Sequence, residues 1–112
     1  MFAEAARDGE HAPPPPPGLS SWDEAPALDR STALQDFYIP ISAEAGQLLY
    51  ALVRAIRPQT VVEFGTSFGI STIYLAAAVT DNGTGRVVTT ELSERKVKAA
   101  QSNLQQTGLD GR

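Results

Sequence analysis

The chain has 112 residues, a formal net charge of -4, one histidine and no cysteine. This length suits one small domain, the negative charge disfavours binding to a nucleic acid backbone, and the lack of cysteine excludes disulfides and thiolate metal sites. No apolar run reaches the ~18 residues that a membrane-spanning helix needs, and the N-terminus lacks the basic and then apolar order of a signal peptide. We therefore expect a cytoplasmic protein that binds neither membrane nor nucleic acid.

The beginning of the chain predicts a leader that precedes the folded domain. Residues 13–17 are five consecutive prolines, and Gly18 closes the run. Because proline fixes φ and has no amide donor, the run favours extended polyproline II. We predict a disordered leader over residues 1–18 and a folded domain over residues 19–112. The alternative is a ligand for an SH3-type groove, which no flanking arginine supports.

Two helices are predicted before the first strand. A short helix over about residues 26–36 precedes Pro40, and a proline pushes the residue before it out of the helical region. A stronger helix covers residues 42–57, because Ser42 can cap it and Pro58 stops it. Its apolar residues recur at helical spacing along one face: Ala45, Leu48, Leu49, Leu52, Val53 and Ile56.

A strand, a tight loop and a helix follow. Residues 60–64 are apolar except for Thr60 and Glu63, a pattern typical of a strand buried on both faces of a parallel sheet. The loop over residues 65–69 leads into a helix predicted over residues 70–79. The predicted apolar side of this helix consists of Ile70, Ile73, Tyr74, Ala77 and Ala78.

A second strand and a further helix complete the pattern. Residues 81–83 predict a turn, residues 86–90 predict the strand, and Ser93 can cap a helix that runs to about Thr107 before Gly108. Two short strands joined by a helix form a right-handed crossover, so we expect the two strands to be parallel.

The loop between the first strand and its helix suits a bound anion. Gly65, directly after a buried strand, allows a sharp turn and lets a ligand touch the backbone. The helix that begins after Gly69 points free N–H groups and a positive dipole end toward the loop. Ser67 and Ser71 add hydroxyls there. The ligand group could be a phosphate or a carboxylate.

A carboxylate at the end of the second strand extends this site. Glu91 lies 26 residues beyond Gly65. Neighbouring parallel strands end at one shared crevice, and in nucleotide-binding units of this kind such a carboxylate accepts the hydroxyls of an adenosine ribose. We expect Glu91 to have this role, and a solvated strand-end acid is the simpler alternative.

The loop favours one class of nucleotide over another. A dinucleotide fold prefers Gly-x-Gly-x-x-Gly, so that a pyrophosphate can lie on the backbone, whereas this loop runs from Gly65 to Gly69 without a middle glycine. Glu63 would repel a pyrophosphate but attract an ammonium group. S-adenosylmethionine offers an ammonium for Glu63, a carboxylate for the loop amides and Ser71, and a ribose diol for Glu91. It therefore fits better than NAD. Glu63 could also organise the loop by accepting backbone amides, and the two roles are compatible.

Residues 61–71 resemble motif I of the class I S-adenosylmethionine-dependent methyltransferases. Residues 38–52 resemble the helix that precedes this motif, residues 86–91 resemble motif II with its ribose carboxylate, and residues 98–109 resemble the following helix. The resemblance covers about residues 38–112. Within motif I, one pattern is similar to the catechol and caffeoyl-CoA O-methyltransferase group: Glu63-x-Gly65-Thr66-x-x-Gly69-x-Ser71-Thr72.

The resemblance implies a fold and a set of cofactor contacts. The fold is α/β, a Rossmann-like three-layer sandwich with a parallel sheet, of which this chain carries only the first two strands and their flanking helices. Ser67 would contact the cofactor mainly through its backbone. The implied S-adenosylmethionine contacts are Glu63, Gly65, Thr66, Ser67, Gly69, Ser71 and Glu91.

The resemblance also implies O-methyl transfer to a small-molecule acceptor, and it admits a homodimer. In the metal-dependent members, acidic and amide ligands for a divalent ion follow the fourth strand. No matching cluster occurs here, so we assign neither metal ligands nor catalytic residues. We expect the chain to be the N-terminal portion of a longer methyltransferase. The alternatives are an enzyme linked to NAD or another nucleotide, and a non-catalytic fragment.

Overall fold

A computed structural model of the protein describes residues 14–36 and 40–111. Most of the predicted leader, residues 1–13, lies outside the described residues, as do residues 37–39 at the start of the segment that resembles the helix before motif I. The described chain forms, in order, a 3-10 helix at Trp22–Glu24, α1 at Ala27–Ala33, α2 at Ala43–Ile56, β1 at Thr60–Phe64, α3 at Ile70–Asn82, β2 at Arg86–Thr90 and α4 at Glu94–Thr107. Across these two ranges, no helix is both long enough and apolar enough to cross a membrane.

The two strands form a parallel pair, which confirms the predicted crossover. Thr60 pairs with Arg86, and the register continues to Phe64 opposite Thr90. Both strands have the predicted bounds. Because the two parallel strands end opposite each other, both end at the same edge of the sheet. This brings the loop after β1 next to Glu91.

Serine side chains cap the N-termini of α2 and α4. The Ser42 hydroxyl accepts a hydrogen bond from the Ala45 amide at 3.1 Å, and the Ser93 hydroxyl caps α4 in the same way. Helix α2 ends at Arg57, which adopts the left-handed conformation with φ of 52° before Pro58. These ends agree with the sequence prediction to within one residue.

Helix α3 is longer than predicted, because its last residues are bonded to α2. The Tyr50 hydroxyl donates to Asp81 at 2.5 Å, and the Asn82 side-chain amide donates to the Val53 carbonyl at 3.0 Å. These contacts keep Asp81 and Asn82 helical, although their sequence predicts a turn. The helix therefore continues to Asn82, and Gly83 caps its C-terminus with φ of 71°.

The buried surface of α3 is wider than the apolar side that the sequence predicted. Buried residues occur around much of the helix, because α3 lies among α2, β2 and α4. The buried residues of α3 are Ile70, Thr72, Leu75, Ala76, Ala78, Val79 and Asn82. Leu75, Ala78 and Val79 form the hydrophobic core together with Val53 of α2. Four partly buried residues pack against this core: Leu49, Tyr50, Val61 and Val87.

The packed face of α2 is rotated from the predicted one. Gly46 and Val53 are buried, whereas Leu48, Leu52 and Ile56 are 60%, 46% and 71% exposed. The cause is a close approach to α3, since a Cβ at position 46 would overlap the ring of Tyr74. A helix packs most closely where it has the smallest residue, and here that residue is Gly46.

The prediction that β1 is buried on both faces was wrong for the described residues. Val61 packs toward the core, but Val62 and Phe64 are 58% and 85% exposed, and Val88 of β2 is 42% exposed. Helix α3 covers one face of the sheet, and no element within residues 14–36 or 40–111 covers the other. The strands therefore have a second apolar face that none of the described residues covers.

Candidate functional site

The loop after β1 is held against the end of β2. The amides of Gly65 and Thr66 both donate to the Thr90 carbonyl at 2.9 Å. Gly65 has φ of 87° and Gly69 has φ of 89°, a left-handed region that favours glycine. A Cβ at Gly69 would lie 3.3 Å from the Ala100 side chain, whereas one at Gly65 would meet nothing within 4 Å. Gly69 thus allows α4 to approach, and Gly65 faces open space.

Glu91 closes the loop from the other side. Its Oε2 accepts the Ser67 amide at 2.8 Å, and its Oε1 accepts the amides of Leu92 at 2.8 Å and Ser93 at 3.0 Å. Ser67 has φ of 49°, an unusual value for a residue other than glycine. The carboxylate therefore fixes the tip of the loop and the start of the segment that leads into α4.

A crevice lies at the carboxyl ends of the two strands. A cavity of about 350 Å³ is lined by Phe64, Gly65, Thr90, Glu91 and Leu92. A larger cavity, of about 520 Å³, lies between α1 and the start of α4 and shares Leu92 with the crevice. We place the candidate site in the crevice, because ligands of open α/β sheets bind outside the carboxyl ends of the strands.

Glu63 lies beneath the loop, on the face of the sheet that packs against α3. Its Oε1 accepts the hydroxyls of Thr72 at 2.5 Å and Thr89 at 2.7 Å, and its Oε2 accepts the Ser71 hydroxyl at 2.5 Å. The partners of Glu63 in this structure are thus side-chain hydroxyls, whereas the sequence suggested an ammonium group or backbone amides.

The hydroxyl of Thr66 connects this cluster to the loop. Its Oγ1 lies 2.5 Å from the Thr89 Oγ1 and donates to the Thr90 carbonyl at 3.0 Å. The structure thus places Gly65 and Glu91 in the lining of the crevice, whereas the Thr66 side chain is buried and bonded to β2. The Ser71 hydroxyl is directed to Glu63 and not to the crevice.

Sequence reasoning did not identify three residues that hold the loop. Two of them, Thr72 and Thr89, bind Glu63. The third, Asn103 of α4, donates its side-chain amide to the Phe68 carbonyl at 2.9 Å. The parallel register was a usable signal for Thr89, because it pairs Thr89 directly with Glu63. Residues paired across parallel strands present their side chains on one face of the sheet.

One charged side chain of α4 lies beside the loop. Lys96 of α4 is buried, and its ammonium lies 5.5 Å from the centre of the Phe68 ring. In the part of the chain that the structure describes, no three His, Asp or Glu side chains converge as metal ligands.

Comparison with known proteins finds similarity to methyltransferases. Residues 62–112 match a family described as a methyltransferase domain. A catechol O-methyltransferase of Mycobacterium tuberculosis is 40% identical over 88 residues, which are 79% of this chain and 39% of that enzyme. A catechol O-methyltransferase of Niastella koreensis is 34% identical over 94 residues, 81% of this chain and 42% of that enzyme.

Solved structures show the same relationship. An O-methyltransferase from Bacillus cereus, in complex with S-adenosylhomocysteine, superposes with a TM-score of 0.63 and 26% identity over 99% of this chain and 49% of its own. The O-methyltransferase TomG of Streptomyces achromogenes, in complex with S-adenosylmethionine, superposes with a TM-score of 0.62 and 28% sequence identity. The match covers 98% of this chain and 48% of TomG. The chain is thus similar to the N-terminal portion of class I S-adenosylmethionine-dependent O-methyltransferases.

This structural similarity confirms the predicted Rossmann-like α/β fold with a parallel sheet. The chain spans less than half the length of these O-methyltransferases. In this structure, the loop that resembles motif I and the carboxylate that resembles motif II meet directly, through the hydrogen bond from the Ser67 amide to Glu91.

Proposed function

We propose that this chain supplies the S-adenosylmethionine-binding portion of an enzyme that methylates a hydroxyl group of a small molecule. The observation that carries the proposal is the position of Glu91, which is fixed by backbone amides next to the open face of Gly65. The relatives solved with S-adenosylmethionine or S-adenosylhomocysteine support the choice of cofactor.

The residues of the crevice fit an adenosine with its attached chain. Gly65 lines the crevice, and a side chain at this position would project into free space that a ligand could use. A carboxylate can accept about four hydrogen bonds, and Glu91 already accepts three. One acceptor position on Oε2 therefore remains for a ribose hydroxyl.

The chain would bind and orient the cofactor and leave the acceptor chemistry to other residues. When bound, S-adenosylmethionine supplies a methyl group on a sulfonium, which an acceptor oxygen attacks in line. Gly65 and Glu91 would hold the adenosine end, and the backbone of the loop from Gly65 to Gly69 would face the amino acid end. We assign no general base and no metal ligand. The expectations of a homodimer and a cytoplasmic location remain predictions.

Calorimetric titration of the purified chain with S-adenosylhomocysteine tests this proposal. We expect binding to the chain, and we expect Glu91→Ala to weaken it by about 1–3 kcal/mol, the scale for loss of a charged hydrogen-bond acceptor. Glu94→Ala is the matched control, because Glu94 is an exposed carboxylate nearby that does not line the crevice. This control should bind like the wild type.

Titration with NAD separates the proposal from the nucleotide-linked alternative. Binding of NAD without S-adenosylhomocysteine would replace the proposed cofactor. If a chain with a folded circular dichroism spectrum binds neither compound, the claim that these residues form a cofactor site on their own is refuted.

A further inference from the structure

The carboxylate of Glu63 is surrounded by hydroxyl groups from two different elements. Ser71 and Thr72 come from the first turn of α3, and Thr89 comes from β2. We call these three residues the hydroxyl collar. Burial of a carboxylate is unfavourable unless hydrogen bonds compensate for the lost water, and the collar provides these bonds to half-buried Glu63. The collar thus ties the end of β1 to both α3 and β2.

The cofactor loop is the segment between these tied points. It begins two residues after Glu63 and ends directly before Ile70, Ser71 and Thr72, so the collar fixes both of its ends. A chain of hydroxyls also reaches the loop itself. Thr89 donates its hydroxyl proton to Glu63 and therefore accepts in its contact with Thr66, so the single Thr66 hydroxyl proton is shared between the Thr89 Oγ1 at 2.5 Å and the Thr90 carbonyl at 3.0 Å.

We propose that Glu63 is a positioning residue, which sets the conformation of the loop at residues 65–69 through the hydroxyl collar and does not touch the cofactor. This inference rests on the proposed function for its consequence in binding. It differs from the ammonium contact that the sequence suggested for Glu63, because the Glu63 side chain lies on the sheet face that packs against α3 and does not line the crevice, whereas Glu91 does.

The first test measures the loop without any ligand. Thr89→Val and Thr72→Val remove a hydroxyl at nearly constant volume, and we expect amide hydrogen exchange at Gly65, Thr66 and Gly69 to accelerate roughly tenfold or more, the factor for one charged hydrogen bond. The serine variants Thr89→Ser and Thr72→Ser keep the hydroxyl and should restore wild-type exchange. Unchanged exchange in both valine variants would overturn the inference.

A matched control exists within the same helix. Thr80 of α3 has a buried hydroxyl that has no hydrogen-bond partner among the described residues. Thr80→Val therefore removes the same atoms without removing a bond, and exchange at the loop should stay as in the wild type. Loop exchange that accelerates equally in Thr80→Val would show a general loosening of α3 and would count against the collar.

The second test distinguishes positioning from direct contact. Glu63→Gln is titrated with S-adenosylhomocysteine and with methylthioadenosine, which lacks the amino acid group. If Glu63 positions the loop, both affinities should fall, because the loop also carries Gly65 and the Ser67 amide that binds Glu91 at the adenosine end. If only S-adenosylhomocysteine loses affinity, Glu63 touches the ammonium group and the inference is wrong. If the wild type binds neither compound, the proposed function fails, and the exchange measurements still decide the role of the collar.

Discussion

The hydrogen bonds of Glu91 predict different effects for two substitutions at the same position. Oε1 accepts two amides, from Leu92 and Ser93, whereas Oε2 accepts one, from Ser67. Glu91→Gln leaves one acceptor oxygen and places an NH₂ group at the other site. The glutamine side chain can place its oxygen at the Oε1 site, which keeps two hydrogen bonds, or at the Oε2 site, which keeps one. The first orientation is favoured, so the oxygen should continue to accept from the amides of Leu92 and Ser93. Glu91→Ala removes all three bonds.

The magnitude follows from the number and kind of bonds lost. A hydrogen bond to a charged group contributes about 1.5–3 kcal/mol, and about 1.4 kcal/mol corresponds to a tenfold change in an equilibrium constant. Glu91→Gln should therefore lower the exchange protection of the Ser67 amide roughly tenfold or more. Leu92 and Ser93 keep a neutral acceptor and should change less. Glu91→Ala should lower the protection of all three amides.

Amide hydrogen exchange followed by NMR measures each position separately. The amide of Val79, a fully buried residue in the second half of α3, serves as an internal reference for global unfolding. The reasoning would be refuted if Ser67 keeps its protection in Glu91→Gln, or if Val79 loses as much protection as Ser67 does. The first result would mean that the amide has another acceptor, and the second would mean that the whole domain is destabilised.

Two further predictions concern stability. Gly85 has φ of 97°, and a Cβ there would lie 2.5 Å from the Pro58 carbonyl oxygen, whereas Gly83 has φ of 71° and free space. Gly85→Ala should therefore lower the unfolding free energy by about 2–5 kcal/mol and Gly83→Ala by about 1–2 kcal/mol; equal urea midpoints would contradict the close approach. The hydrogen bond to Asp81 raises the pKa of the Tyr50 phenol above its usual 10.0. The stabilisation from this hydrogen bond should be present below pH 10 and lost as the pH rises through the raised pKa. The melting temperature of the wild type should therefore fall over this pH range by more than that of Tyr50→Phe, which has no phenol to ionise.

Several elements of this protein could be predicted because their signals are local. Both strands and the start of α4 were predicted at the observed positions, since strand-forming residues between turn residues, and serine before a helix, act within a few residues. The parallel pairing could also be predicted, because a helix of this length between two short strands favours a parallel crossover.

Other features depended on contacts between distant residues. The end of α3 at Asn82 required the bond to Val53 in α2, and the packed face of α2 was set by the fit of Gly46 against Tyr74. No local pattern reveals such contacts, because the helical period marks apolar positions without showing which of them meets a partner.

The candidate site shows the same division. The sequence by itself determined the glycines of the loop and the carboxylates at the two strand ends, because the left-handed turn after β1 requires Gly65 and a parallel sheet brings Glu91 beside it. The tertiary structure decided what each carboxylate holds. Glu91 accepts hydrogen bonds from backbone amides, whereas Glu63 accepts hydrogen bonds from side-chain hydroxyls of α3 and β2. The physical reason is that hydrogen-bond partners are chosen by distance in space, and these partners meet only after α3 packs on the sheet.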